Sequence, residues 1–286
     1  MLRPILLILF SSLCFSLMDA ISKLLVADND PFMIVWARFA IGLPAIAYLA
    51  WRHPRRLLAS DRPAMQVFRA LLPFVLSVAV IYSLRFLPLA EMTAILFTMP
   101  LMLIPLAALL LRERITGRQL AAVAAGFVGA LIIIRPGAGA LQWAALLALG
   151  AAAGAALMQV ITRWLHRGSD PLATFAYTML VGFLVACLPL PWVWHSMSAG
   201  AWALLAVGGI AQLLAHGTLI AAFSRAPSVI LAPYLYSQLI GAALFGILLF
   251  GEWPDLPTIA GAAVIVVAGL YAAAAERRTA GTPAAS

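Results

Sequence analysis

Long apolar runs separated by short polar breaks dominate the chain. Each run holds about 20 residues, enough for a helix rising about 1.5 Å per residue to cross a bilayer core roughly 30 Å thick. The runs lack the strict in-and-out alternation of barrel strands. The pattern therefore predicts an all-α membrane protein with ten transmembrane helices. The predicted spans are residues 5–25, 32–51, 64–84, 92–111, 118–134, 141–163, 171–190, 201–223, 228–250 and 256–274.

The same pattern occurs twice along the chain. Adding 139 to residues 88–131 gives residues 227–270, and upstream of this stretch the offset becomes 140, so that Asp30-Pro31 corresponds to Asp170-Pro171. Each half contains an odd number of spans, so the two halves enter the membrane in opposite senses. The sequence predicts two inverted five-helix repeats, residues 1–136 and 137–276, followed by a short polar tail, residues 277–286, that we expect to be disordered.

The distribution of charge along the chain indicates how the predicted spans are oriented in the membrane. The chain is 65% hydrophobic and 10% charged with a net charge of +8. Fourteen arginines fall on the side of the termini, against Lys23, Arg85 and Arg135 near the other side, and the positive-inside rule then places both termini in the cytoplasm. The basic excess indicates topology, and we predict no nucleic-acid partner. Residues 1–18 resemble a signal peptide but lack a clean cleavage site, so we interpret them as part of the first span.

The first span carries polar residues along one helical face. Ser12, Ser16, Asp19 and Lys23 recur at steps of four, three and four. A charge in the bilayer is costly, so Asp19 requires a partner or a water-filled cavity. Lys23 lies one turn away, and Arg38 of the second span is expected at the same depth. An ion pair from Asp19 to Arg38 would either fix helix packing or belong to a transport site, and the pattern leaves both open.

Further polar side chains lie inside other spans. Tyr234 and Gln238 of the ninth span face one way and suit a cavity for a small organic solute, although helix packing explains them equally well. His216 is either part of such a cavity or a hydrogen-bonded packing residue. Tyr82 lies near the end of its span, where it is also compatible with an aromatic side chain at the membrane interface. The candidate substrate-binding residues are Ser16, Asp19, Arg38, Ser77, Tyr82, Thr98, Gln159, Gln212, His216, Tyr234 and Gln238.

Local signals mark turns and close helix contacts. Thr116 and Gln119 predict a capping box opening the fifth span. Glu113 and its repeat equivalent Glu252 are interpreted as markers of a tight turn. Small residues four apart in the fifth and sixth spans predict close helix contacts, within one chain or between two. We therefore predict either a monomer or a homodimer.

Inverted repeats favour transport as the function. Two chemically similar halves of opposite orientation can exchange conformations at small cost, which is the basis of alternating access with a solute held near the bilayer midplane. Motifs for metalloprotease zinc, phosphate loops or a nucleophilic triad are not found in the sequence, so we predict neither an enzyme nor a cofactor or metal site.

Residues 82–137 resemble the EamA domain of the drug/metabolite transporter superfamily, and the second half is similar to it more loosely. The resemblance implies a bacterial inner-membrane carrier of small metabolites, typically amino acids or related compounds, often exporting them, with spans 1, 3, 4, 6, 8 and 9 around a central cavity. Asp19 with Lys23 departs from the commoner apolar lining and resembles members proposed to carry S-adenosylmethionine. Uptake or exchange of such solutes or of nucleotide-type solutes, with proton coupling through Asp19, is the alternative.

Overall fold

A computed structural model describes residues 2–111, 115–135, 142–165, 170–223, 225–226 and 228–280. Glu113, the segment after Arg135 that would join the two repeats, and residues 281–286 of the expected tail lie outside the described residues. The helices are α1 (Leu2–Val26), α2 (Pro31–Arg52), α3 (Pro63–Leu84), α4 (Leu89–Leu96), α5 (Met99–Leu111), α6 (Gly117–Ile134), α7 (Gln142–Leu165), α8 (Pro171–Cys187), α9 (Leu190–Val193), α10 (Ala199–Phe223), α11 (Ser228–Leu235), α12 (Ser237–Phe250) and α13 (Leu256–Ala280).

These helices form ten spans as two inverted five-helix repeats. The helices α4 and α5 together make the fourth span, and α11 and α12 make the ninth. Within the described residues, nine helical stretches are long and apolar enough to cross a membrane, and residues Leu172–Cys187 form a shorter apolar helix. The repeat is visible in the helix bounds, since adding 139 to the ends of α4 gives the ends of α11.

Helix starts follow the repeat because the same capping chemistry occurs in both halves. Asp30 and Asp170 each accept a hydrogen bond from the backbone N–H two residues later, at 2.8 and 2.9 Å, in front of a proline in the first turn. The predicted capping box of Thr116 and Gln119 is confirmed. Asp255, the repeat equivalent of Thr116, accepts a hydrogen bond from the backbone N–H of Thr258 at 3.0 Å. Caps therefore fix where matching helices begin.

The fourth and ninth spans are divided, whereas the sequence predicted continuous helices over residues 92–111 and 228–250. In the fourth span, Pro100 has no N–H for the carbonyl of Leu96. At the same break, the Thr98 hydroxyl donates to the carbonyl of Ile95 at 2.7 Å. The breaks fall at Phe97 and Tyr236, which are 139 residues apart. Both repeats therefore interrupt the same helix at the same position.

Two helix ends also differ from the predicted spans. The fourth span begins at Leu89, not at residue 92, which places Glu91 in the first turn of α4, where a carboxylate interacts favourably with the helix dipole. At the carboxyl end, α13 continues to Ala280, four residues into the segment that we expected to be disordered. Alanine, glutamate and arginine are strong helix formers, and they extend the helix beyond its apolar part.

Small residues provide close contacts within the chain. A Cβ atom added to Gly129 in α6 would lie 2.8 Å from the carbonyl oxygen of Gly261 in α13. In α7, a Cβ on Gly154 would collide with the side chain of Leu76 in α3, at 2.5 Å. Gly129 and Gly154 thus serve packing inside one chain, whereas a Cβ on Gly150 would have no heavy atom within 4 Å.

The helix packing departs from the symmetry of the repeat at one end. We call the end at which α1 begins and α13 ends the terminal face and the opposite end the distal face. Near the distal face, α1 packs against α3 and α4, and α4 packs against α12. The repeat equivalents of these contacts, α7 with α10, α7 with α11 and α11 with α5, show no comparable packing among the described residues. Among the described residues, the two halves thus meet through α4 and α12 near the distal face but not through α11 and α5 near the terminal face, where α3 and α8 make the contact between the halves instead.

A large buried apolar cluster contributes to this closure. It joins the two halves around α4 and includes Leu89, Met92, Ile133 and Ala242, all at most 1% exposed. Because lipid tails are as apolar as these side chains, the cluster stabilises the closure through close van der Waals packing.

Candidate functional site

A cluster of polar side chains lies between α1 and α12, beneath the closed distal face. We call it the polar site and define it as Ser16, Asp19, Ser22, Arg38 and Gln238. The Ser16 hydroxyl donates to the backbone carbonyl of Gln238 at 2.9 Å, and the Gln238 side-chain amide donates to a carboxylate oxygen of Asp19 at 3.4 Å. Asp19 is only 7% exposed. The structure therefore brings together three residues that the sequence had placed on two separate faces.

A glycine makes this contact between α1 and α12 possible. Gly241 lies one turn beyond Gln238, and a Cβ added there would lie 2.9 Å from the Cβ of Ser16. Contacts that short are not tolerated, so a larger side chain would push α12 away from α1. The absence of a side chain at Gly241 thus sets the depth at which Gln238 meets Asp19.

Arg38 is held on the other side of Asp19. Its guanidinium donates to the Ser22 hydroxyl and, at 3.4 Å, to the carbonyl of Met18, and the same hydroxyl donates to that carbonyl at 2.7 Å. The expected direct ion pair from Asp19 to Arg38 is wrong, since no nitrogen and oxygen of these two described side chains come within 4 Å. They still interact electrostatically. The Arg38 guanidinium thus donates to Ser22 rather than to the Asp19 carboxylate.

Lys23 does not neutralise Asp19 either. Its ammonium lies 2.5 Å from a carboxylate oxygen of Glu252 and donates to the carbonyl of Leu87 at 2.7 Å. The other carboxylate oxygen of Glu252 accepts from the backbone N–H of Leu89, at 3.1 Å. Glu252 follows the left-handed Gly251, so it does lie in a tight turn, but the turn also carries this tertiary ion pair. The first turn of α4 leaves N–H groups free for such a carboxylate.

The breaks of the fourth and ninth spans meet at the axis that relates the two repeats. The rings of Phe97 and Tyr236, repeat equivalents of one another, lie 4.9 Å apart between centroids. Gly269 of α13 makes room for the Tyr236 hydroxyl. Tyr234, two residues before the break, is 37% exposed, and the Ser237 hydroxyl donates to its carbonyl at 2.6 Å. The aromatic pair anchors the two broken helices against each other.

The remaining candidates lie apart from these hydrogen bonds. His216 is exposed, packs edge-on against Phe15 at 4.9 Å between centroids, and places Nδ1 3.0 Å from the carbonyl of Gln212. Gln212 and Ser77 are half-buried, and Gln159 is exposed. A substrate-binding role for these four polar residues stays a prediction.

Thr98 and Tyr82 occupy different surroundings. The Thr98 hydroxyl is bound by the backbone at the break of the fourth span, and the side chain is buried. Tyr82 lies near the distal end of α3 in an exposed cluster with Phe86 and Trp143, at 5.6 and 5.5 Å between centroids. Such a cluster is typical of membrane-interface aromatics. Their substrate contacts stay predictions as well.

Sequence reasoning missed a second buried arginine. Arg69 in α3 donates to the hydroxyls of Thr162 in α7 and Thr178 in α8, at 2.6 and 2.7 Å. Thr162 is the repeat equivalent of Ser22, and Thr178 that of Arg38. The repeat offset could have pointed to this site. Adding 140 to Ser22, which binds Arg38, gives Thr162, which binds Arg69.

Two carboxylates at the ends of spans are strongly held. Hydrogen bonds from the Arg135 side chain and from Thr258 lower the pKa of Asp255 to about 2. The backbone N–H of Leu172 and the Arg56 side chain lower the pKa of Asp170. These groups fasten helix starts at opposite faces.

Comparisons with known proteins agree with this architecture. The model of the EamA-like transporter family matches residues 2–135 and again residues 142–273. A solved structure is 17% identical with a TM-score of 0.61, over 94% of this chain and 98% of that one, and it supports the fold.

Curated relatives cover nearly the whole chain. An S-adenosylmethionine uptake transporter of Rickettsia prowazekii is 27% identical over 95% of this chain and 92% of its own. A pseudopaline exporter of Pseudomonas aeruginosa is 32% identical over 92% and 93%. A riboflavin transporter of Brucella anthropi is 30% identical over 82% and 90%. With a family model matched in both halves and these relatives, the chain belongs to the EamA-like transporter family of membrane transporters.

Proposed function

We propose that the protein exports small organic metabolites bearing an α-amino acid group across the bacterial inner membrane, by alternating access. The observation that carries this proposal is the pair of opposite charges in the polar site. The carboxylate of Asp19 and the guanidinium of Arg38 lie inside the bilayer within electrostatic range but are not joined. A zwitterion can bridge such a pair, with its ammonium on Asp19 and its carboxylate on Arg38.

The donors and acceptors suit this arrangement. An ionised carboxylate offers about four lone-pair sites and a guanidinium five N–H groups, so both retain capacity beyond the bonds to Gln238 and Ser22. The site as a whole is neutral, so a neutral zwitterion enters it without adding net charge to a low-dielectric region. Gln238 orients Asp19, and in this proposal Tyr234, which is 37% exposed and lies toward the terminal face, contacts the rest of the solute.

The positions of the charges favour the orientation in which the terminal face is cytoplasmic. The distal face, where α4 packs against α12, then faces outward, and the terminal face, where α11 does not pack against α5 among the described residues, faces the cytoplasm, as in a carrier awaiting an internal substrate. The inverted repeats supply the mechanism. When the two halves exchange conformations, the distal face opens and the terminal face closes.

The test is transport by purified protein in proteoliposomes. Asp19→Asn removes the charge partner of the ammonium. A hydrogen bond to a charged group is worth about 1.5–3 kcal/mol, so the half-saturating concentration of an amino-acid solute should rise about 10- to 150-fold. Arg38→Gln should act similarly. Asp61→Asn, in the exposed loop between α2 and α3, is the matched control and should leave transport unchanged. Unaltered saturation in both site variants would refute the proposal.

A second candidate is uptake or exchange of S-adenosylmethionine-like solutes with proton coupling through Asp19. Two observations favour it: the relatives named as S-adenosylmethionine uptake transporters, and the burial of the Asp19 carboxylate within a span. Under this candidate, Asp19→Asn retains solute exchange but abolishes accumulation driven by a pH gradient. Under the first candidate, the variant weakens exchange and accumulation together.

A further inference from the structure

We propose that the ion pair between Lys23 and Glu252, which we call the latch pair, holds the distal face closed and must break before the carrier opens there. The proposal rests on alternating access as stated above and adds the contact that controls it. The ammonium and carboxylate lie 2.5 Å apart, with side chains 10% and 27% exposed. Lys23 belongs to the first repeat and Glu252 to the second, so the pair ties the two halves together.

The latch pair is bonded to the backbone between α3 and α4 as well. Lys23 also donates to the carbonyl of Leu87, and Glu252 also accepts from the N–H of Leu89. The ring of Phe250 lies 5.1 Å from the ammonium, within the range of a cation–π interaction. One ion pair thereby connects the end of α1, the start of α4 and the end of α12. Separating these helices requires breaking all these contacts at once.

These are also the helices whose packing departs from the repeat symmetry. The contacts of α1 with α4 and of α4 with α12 exist at the distal face, whereas their equivalents at the terminal face show no comparable packing among the described residues. In an inverted repeat, contacts whose repeat equivalents are not made are those exchanged when the carrier switches. We call these contacts of α4 with α1 and α12 the seam. The latch pair lies across the seam and is therefore broken in the distal-open state.

The chain offers a matched control on the same face. The side chains of Arg135 and Asp255 also form an ion pair near the distal face, but they join α6 to α13. Each of these helices is the repeat equivalent of the other, and they pack closely through Gly129 and Gly261. When the halves exchange conformations, α6 takes the place of α13 and α13 that of α6, so the contact between these two helices stays the same. Breaking this pair should leave opening of the seam unchanged.

Opening can be measured with a cysteine buried in the seam. Leu89 is fully buried, and its Cβ lies 3.8 Å from where a Cβ on Gly246 of α12 would be. Leu89→Cys, with Cys14→Ala and Cys187→Ala, gives a single thiol that is protected while α4 packs against α12. The protein is placed in lipid nanodiscs, which expose both faces, and its reaction with a water-soluble maleimide is timed. No substrate is needed, so the result is independent of the solute and of the membrane orientation.

We expect Lys23→Gln and Glu252→Gln each to raise the labelling rate about tenfold, corresponding to about 1.4 kcal/mol of lost closure. The double variant should be no faster than either single one, because either change already removes the pair. Lys23→Arg keeps the charge and should label nearly as slowly as the parent. Arg135→Gln and Asp255→Asn should not change the rate.

Three results would overturn the proposal: parental labelling rates in both single variants, additive effects in the double variant, or equal acceleration by the control variants. Size-exclusion profiles and thermal midpoints identify any variant that fails to fold, and Lys23→Arg then still separates charge from structure. If labelling behaves as expected while amino-acid transport is absent, the latch pair stands and the proposed substrate class fails.

Discussion

The contact between α1 and α12 makes a quantitative prediction about Gly241. A Cβ at this position would lie 2.9 Å from the Cβ of Ser16, closer than side-chain carbons pack. Overpacking of this kind costs about 1–3 kcal/mol, while replacing glycine with alanine inside a helix returns roughly 0.5–1 kcal/mol. Gly241→Ala should therefore lower the free energy of unfolding by up to about 2.5 kcal/mol. It should also weaken transport, because the bond from Gln238 to Asp19 depends on the same approach.

The matched control is Gly217→Ala in α10. A Cβ there has no heavy atom within 4 Å, so only the gain in helix propensity remains. Thermal midpoints in detergent should place Gly217→Ala above the parent protein and Gly241→Ala below it. Transport in proteoliposomes should be parental in the control and reduced in Gly241→Ala.

A rescue variant separates the clash from other effects. Ser16→Gly removes the atoms that the new methyl group would meet, so it should restore stability when combined with Gly241→Ala beyond the sum of the two single changes. The helix contact would be irrelevant to the site if Gly241→Ala matched Gly217→Ala in both midpoint and transport. Purely additive single changes would show that the two positions do not touch.

Other predictions concern the remaining polar residues. Because the pKa of Asp255 is lowered to about 2, the stability that Asp255 contributes is present above its unfolded pKa and is lost as the pH falls from about 4 to 2. Asp255→Asn should remove this pH dependence. The loss of stability should be about 0.5–1 kcal/mol, since the ion pair of Asp255 with Arg135 is half-exposed. Arg69→Gln should lower the thermal midpoint more than Arg62→Gln, because Arg69 is buried against two threonines and Arg62 lies exposed. Tyr234→Ala and Gln238→Ala should change substrate preference in competition assays, and an unchanged profile in both would remove the ninth span from the cavity.

Helix number and inverted arrangement were predictable because both depend on properties local to each segment. Apolar length sets a span, and caps such as Asp30 and Asp170 repeat at a constant offset. The breaks within the fourth and ninth spans were not predictable from hydropathy, since both lie inside long, mostly apolar runs. They arise from backbone hydrogen bonding near Pro100 and from the meeting of the two rings at the axis.

Ser22 was not a candidate residue of the polar site, and the contacts among the residues that were candidates were not predicted. Asp19 and Gln238 were both candidates, yet they lie 219 residues apart and meet only because α12 approaches α1. Proximity along one helix suggested Lys23 as the partner of Asp19, whereas Lys23 binds Glu252, 229 residues away. Residues four apart on a helix can interact weakly, but the carboxylate of Glu252 offers a stronger, partly buried partner near the membrane surface. Tertiary packing thus overrode the local pairing.

Comparison of the two halves shows where the carrier is not symmetric. In the first repeat, the hydroxyl of Ser22 on α1 binds Arg38 of the adjacent α2. In the second repeat, the equivalent hydroxyl of Thr162 binds Arg69, which comes from α3 of the other half. Both hydroxyls donate to the carbonyl one turn earlier, at 2.7 Å. The backbone geometry was therefore kept while the origin of the charge changed. A guanidinium supplied by a helix of its own half can remain with Asp19 as the halves move, whereas one supplied across the halves fastens them together.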